Sequence, residues 1–179
     1  MGKRLPKEKD LKRILWFFVK LNILFLPMYV VIYFDLKYEP AQVFFASIVN
    51  FFISILGFKI EQDGYMLYLG ERGLPIDISF DCIGWKSSYS LIALVAASPG
   101  TWKEKTGFLL KGVPAMLLLN LARVLLALTI GYFFGFDLIP VVHDYILQVA
   151  MLFAVLFAWR TYLLQKKQLK NHLIKKQDL

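Results

Sequence analysis

The sequence predicts an all-α, multi-pass membrane helix bundle of four or five spans, with a small β-hairpin cap on its outer face. Three observations lead there. Hydrophobic residues make up 58% of the 179-residue chain, above the roughly 45–50% of an ordinary soluble domain. Several stretches reach or approach the roughly 20 apolar residues that a helix needs to cross a bilayer. The formal charge of +8 collects at the ends: Lys3, Arg4, Lys7, Lys9, Lys12 and Arg13 open the chain, and Lys166, Lys167, Lys170, Lys175 and Lys176 close it. Flanking apolar spans, such runs read as cytoplasmic anchors at an anionic lipid surface, so no nucleic-acid partner is expected.

The first apolar stretch, Ile14–Phe34, is long enough to span and lacks a small-residue cleavage site, so it is expected to stay in the mature protein. Lys20 and Asn22 within it need a partner or an interface. Pro40–Leu56 is shorter and aromatic-rich, with Ser47, Asn50 and Ser54 on one helix face. It reads as a span, a re-entrant piece or an interfacial helix. Between Phe58 and Asp81 the pattern changes: Asp63-Gly64 is a turn signal, and Ile76, Ile78 and Phe80 alternate with Asp77, Ser79 and Asp81. A hairpin or three-stranded cap is expected there. Cys82 is expected to begin the next helix, which ends before Pro99-Gly100. Gly107–Phe134 spans with tilt, Gly135 to Pro140 turn, and His143 opens a last span to about Leu164.

The chain thus reads as one integral-membrane domain, 1–179. Residues 1–13 are a basic cytoplasmic N-terminus, 58–81 an extracytoplasmic β-rich cap, 82–164 the catalytic core helices and 165–179 a basic cytoplasmic tail. The Lys103/Lys105 loop and the basic tail share the cytoplasmic side by the positive-inside rule, which puts Cys82 and His143 together at the outer face of the cell membrane. A cytoplasmic N-terminus would require an odd number of crossings before Phe58, where two apolar segments are available, so both four and five spans fit the sequence.

Three residues of catalytic type interrupt this apolar sequence: Cys82, Arg123 and His143. A lone thiol cannot form an intrachain disulfide, so its value is chemical. Trp85, Lys86 and Tyr89 follow Cys82 at helical spacing, and Lys86 one turn away, together with a helix N-terminus, would lower the thiol pKa. Asp81, Ser87 and Ser88 add polar company. Asn120 and Arg123 project from one helix face. Arg123 would aim a permanently charged donor set at an oxyanion or phosphate, or else pair with Asp81, Asp137 or Asp144; Asn120 would orient it or donate to the same anion. His143 would take the thiol proton and protonate a leaving amine. Asp144 is adjacent in sequence and points away from that imidazole on a regular helix, but would be free to orient it if the helix begins after it. No HExxH, paired-aspartate pattern, P-loop or Cys/His zinc spacing is present, and neither metal nor cofactor is expected.

The order Asp-Cys-Ile-Gly-Trp-Lys-Ser (81–87), Asn-Leu-Ala-Arg-Val (120–124) and His-Asp (143–144) resembles the archaeosortase/exosortase family of multi-pass membrane proteins. The resemblance covers about Ser47 to Leu164, including the Gly57 helix end and the Gly64 turn. Ile83 stands where many relatives carry serine, and many relatives are larger. The resemblance implies a sortase-like cysteine transpeptidase or thiol protease acting on a surface protein that carries a C-terminal apolar helix and a basic end. Cys82 would attack a peptide carbonyl, Arg123 would stabilise the oxyanion, His143 would shuttle the proton, and a lipid headgroup would resolve the thioester. Water as acceptor would make the same machine a protease. Two other readings stand beside it: a non-enzymatic assembly factor or transporter subunit whose Arg123 pairs with a partner, and a lipid-modifying enzyme using His143 and Arg123 on phosphate.

Overall fold

A computed structural model describes residues 8–70, 74–135 and 137–177. The basic runs at the ends fall partly outside this set: Lys3, Arg4 and Lys7, and the side chains of Lys9, Lys170, Lys175 and Lys176. The chain order is α1 (Glu8–Tyr33), α2 (Glu39–Ile55), β1 (Ile60–Asp63), β2 (Met66–Leu69), β3 (Leu74–Asp77), a 3₁₀ turn (Phe80–Ile83), α3 (Trp85–Ala97) and α4 (Trp102–Phe134). A helical turn α5 (Leu138–Pro140) and a π-helical segment (Val141–Ile146) then lead into α6 (Leu147–Gln177).

Three helical stretches are long and apolar enough to cross a membrane: Leu11–Tyr33, Trp102–Phe134 and Val141–Gln168. Their outward faces carry large apolar side chains such as Leu15, Phe18, Leu118, Phe153 and Phe157, all more than half exposed, as expected of surfaces that face lipid rather than water. Among the described residues three stretches meet the length and composition of a span, and Glu39–Ile55 is a shorter apolar helix, so the expected four or five spans are not established. The 13 residues of α3 rise only about 20 Å, short of a hydrocarbon core of about 30 Å.

Inside α1, Pro27 cannot donate to the carbonyl of Ile23. The hydroxyl of Tyr89 donates to the neighbouring carbonyl of Leu24 at 2.7 Å, which fastens α1 to α3 beside the interruption. Asn22 satisfies its amide locally on the carbonyl of Phe18 at 2.9 Å, and the Lys20 ammonium sits 5.5 Å from the Trp16 ring centroid.

The cap is a three-stranded antiparallel meander in the order β1-β2-β3, one strand more than a hairpin. Gly64, at φ 58°, makes the tight link between β1 and β2 that the Asp63-Gly64 pair predicts. Leu67 and Leu69 point to the same side of β2 and are buried, as is Ile78 beyond β3. They pack on Phe45, Ala46, Val49 and Ile53 of α2 and on Val124 and Leu128 of α4. The polar stripe of α2 also has an explanation. The Gln62 amide of β1 donates to Ser47 Oγ at 3.0 Å and accepts from Asn50 at 3.3 Å. This serine–asparagine face is therefore the seam between α2 and the sheet.

At the other end of the bundle Leu91, Leu94 and Val95 of α3 meet Met116 of α4 and Val155 and Tyr162 of α6. The start of α4 is a capping box: Thr101 Oγ1 accepts from the Glu104 amide, and the Glu104 carboxylate accepts from the Thr101 amide. The helix α3 touches α1, α4 and α6, and the candidate site lies at its N-terminal end, beside the sheet.

Candidate active site

Cys82 does not begin a regular helix. The chain from Phe80 to Ile83 is a single 3₁₀ turn, and Gly84 at φ 87° breaks it from α3. The expected helical spacing from Cys82 to Trp85, Lys86 and Tyr89 therefore fails, because one left-handed residue re-aims everything before it. The thiol faces a cleft of about 560 Å³ between the 77–84 loop, α3, α4 and the start of the last span.

Gly84 is required twice over. Its left-handed backbone suits glycine, and a Cβ there would lie 2.7 Å from Asn120 Cγ. Asn120 is fully buried and its amide donates to the main-chain carbonyl of Cys82. The asparagine thus holds the loop that carries the thiol. It does not orient Arg123, and its Oδ1 is buried without a partner.

The Cys82 thiol lies 3.2 Å from Ser79 Oγ and 3.9 Å from His143 Nε2. The other imidazole nitrogen, Nδ1, lies 2.8 Å from the Asp144 carboxylate. That pairing corrects the expectation that Asp144 points away. The two neighbours sit in the π-helical segment Val141–Ile146, and their side chains meet although adjacent positions on a helix project apart. With Nδ1–H donating to Asp144, the Nε2 lone pair faces the thiol, the arrangement for accepting its proton. Burial pushes the Cys82 thiol up, but hydrogen bonding to His143 and to Ser79 outweighs it and holds the thiol below its ordinary value.

Arg123 makes no carboxylate ion pair among the described residues. Its Nη2 donates to the main-chain carbonyl of His143 at 2.9 Å and lies 3.4 Å from His143 Nδ1. Its Nε is buried with no partner, and the residue lines the cleft. Lys86 pairs with Asp81 at 2.6 Å, so it neutralises a carboxylate at the cleft mouth; His143 and Ser79 perform the thiol lowering expected of it. Tyr89 faces α1 and not the cleft.

The structure therefore brings Cys82, Arg123, His143, Asn120, Asp81, Lys86 and Asp144 around one cleft and leaves Tyr89 outside it. Ser79 was missed by sequence reading, although the Ser-x-x-Cys spacing with the Cys82 amide bonded to the Ser79 carbonyl at 2.9 Å is a one-turn signal. Gln148, another polar lining residue, was also missed. Among the described residues no group of three His, Cys, Asp or Glu side chains could hold a metal ion.

The model of the transmembrane exosortase family matches residues 8–160. No curated protein and no solved structure matches the chain. The match takes in the sheet, all the residues around the cleft, the stretches Leu11–Tyr33 and Trp102–Phe134 and most of Val141–Gln168; this membrane protein belongs to the transmembrane exosortase family.

Proposed function

We propose that the chain is a membrane cysteine transpeptidase that cleaves a membrane-anchored protein through a Cys82 thioester. The carrying observation is the relay Asp144 carboxylate, His143 Nδ1 and Nε2, Cys82 Sγ, with spacings of 2.8 and 3.9 Å. This is the nucleophile–base–orienter pattern of covalent acyl transfer. In the first step the thiol proton passes to His143 Nε2 as sulfur bonds to a peptide carbonyl carbon. The carbonyl oxygen becomes an anion, for which Arg123 at the cleft supplies a planar cationic donor set. Collapse breaks the C–N bond, and the imidazolium returns its proton to the leaving amine. A second nucleophile resolves the thioester by the same route in reverse: an amine or lipid headgroup gives transfer, water gives hydrolysis.

The substrate is a surface protein whose C-terminal apolar helix and basic end lie in the bilayer beside the enzyme. Part of the cleft is lined by Met151, Leu152 and Val155 of α6, an apolar wall suited to such a segment. The site is read as facing outside the cell membrane; the basic first turn of α4, with Lys103 and Lys105, supports this through the positive-inside rule.

Co-expression with candidate membrane-anchored proteins, followed by intact-mass analysis, tests the reading. A hydroxylamine-sensitive adduct on Cys82, absent in Cys82→Ala, is expected. Processing that continues undiminished in Cys82→Ala overturns it and returns Arg123 and His143 to an assembly role.

A further inference from the structure

A second groove of about 620 Å³ lies between α4 and α6, away from the thiol. It is within the range of about 300–1,000 Å³ typical of sites that hold a small molecule. Lys103 and Lys111 of α4 and Lys166 of α6 stand around it. None of the three makes an ion pair among the described residues. The one carboxylate in the groove, Glu104, accepts from the Thr101 amide at 3.0 Å as part of the helix cap. Three cations and one carboxylate, Glu104, therefore line an apolar slot, which leaves it a net positive charge.

Depth adds to the argument. Lys111 follows Trp102 by nine residues, about 13 Å into the helix, and precedes Arg123 by twelve, about 18 Å. Its ammonium must reach back along the groove toward the nearer interface, so the groove opens on the leaflet opposite the thiol. The slot itself is kept open by small residues. A Cβ built at Gly107 meets nothing within 4 Å, and Ala115 continues the same wall. Phe157 of α6 lies across from them. A peptide helix ending in lysine or arginine would meet three like charges here. A phosphodiester carrying an acyl chain would meet three opposite ones and an apolar trough.

We propose that this groove binds one anionic phospholipid, its phosphate among Lys103, Lys111 and Lys166 and an acyl chain lying along Gly107 and Ala115. The test is native mass spectrometry of the full chain released from mixed phosphatidylglycerol and phosphatidylcholine. Wild type is expected to retain one phosphatidylglycerol with at least about tenfold preference. The triple variant Lys103→Gln, Lys111→Gln, Lys166→Gln is expected to lose that preference. So is Gly107→Trp, which keeps every charge and fills the slot. Both variants should alkylate Cys82 at the wild-type rate, which shows that they are folded. Equal retention of the two lipids overturns the proposal, and so does Gly107→Trp retaining the preference, since surface charge alone would then explain it. Displacement of the lipid by glycerol 3-phosphate at equal concentration overturns it as a headgroup-only site. A dimer that excludes lipid overturns it in favour of a second copy of the chain.

Discussion

Gly84→Ala puts a methyl group against a fully buried side chain. The Cβ would stand 2.7, 2.8 and 2.9 Å from Cγ, Cβ and Nδ2 of Asn120, and that side chain is fully buried. The left-handed backbone at φ 87° costs an L residue about 1–2 kcal/mol. Overpacking a rigid neighbour adds about 1–3 kcal/mol, so the variant should lose about 2–5 kcal/mol of stability in all. The chemical consequence is larger. Asn120 holds the Cys82 carbonyl, and the thiol is already 3.9 Å from His143 Nε2, so a shift of a few tenths of an ångström uncouples them. Denaturant unfolding in detergent micelles measures the first effect, and the rate of Cys82 alkylation at fixed pH measures the second. Only Asn120→Gly removes all three crowding atoms, so the double variant should recover at least about 1 kcal/mol relative to additivity. A Gly84→Ala protein within about 0.5 kcal/mol of wild type, or a strictly additive double variant, would refute the close-packing argument.

The alkylation rate of Cys82 should rise with pH about a midpoint below the ordinary thiol value, since hydrogen bonds from His143 and Ser79 overcome burial. Ser79→Ala should move that midpoint upward; an unmoved midpoint would remove Ser79 from the site. The sign for stability follows: a depressed thiol pKa stabilises the fold above the unfolded thiol's value, and that contribution is lost as pH falls through the folded one. Asp144→Asn should lower thioester formation by about 10²–10⁴-fold, because the amide no longer fixes the proton on Nδ1. An unaffected rate would assign orientation of the ring to other contacts. Tyr89→Phe should cost about 1 kcal/mol by removing the hydroxyl's hydrogen bond to the Leu24 carbonyl while leaving Cys82 alkylation unchanged. A shifted alkylation profile would bring the tyrosine back into the cleft.

The membrane helices were legible because their signal is local. Hydrophobic runs of sufficient length read as α1, α4 and the last span wherever the chain folds, and Asp63-Gly64 marks a turn by its own backbone preference. The identities of Cys82, Arg123 and His143 were legible for a related reason: a thiol, a guanidinium and an imidazole set in apolar sequence carry a desolvation cost that only a function or a partner offsets. Side-chain direction was less legible. Counting residues from Cys82 assumes an unbroken helix, and Gly84 breaks it, so Lys86 goes to Asp81 and Tyr89 to α1. Counting from His143 sets its neighbour on another face, and the Asp144 side chain nevertheless folds onto the imidazole, an orientation that spacing does not encode.

By itself, then, the sequence determined that this is a membrane helix bundle with a small β cap, and which residue types could do chemistry in it. Periodicity, hydropathy and turn preference are properties of short stretches and need no distant neighbour. The tertiary structure decided which of those residues meet. The contacts that define the cleft join positions 38 and 61 residues apart in the chain. They exist because the packing of α3, α4 and α6 brings those backbones together, and no local pattern encodes that distance.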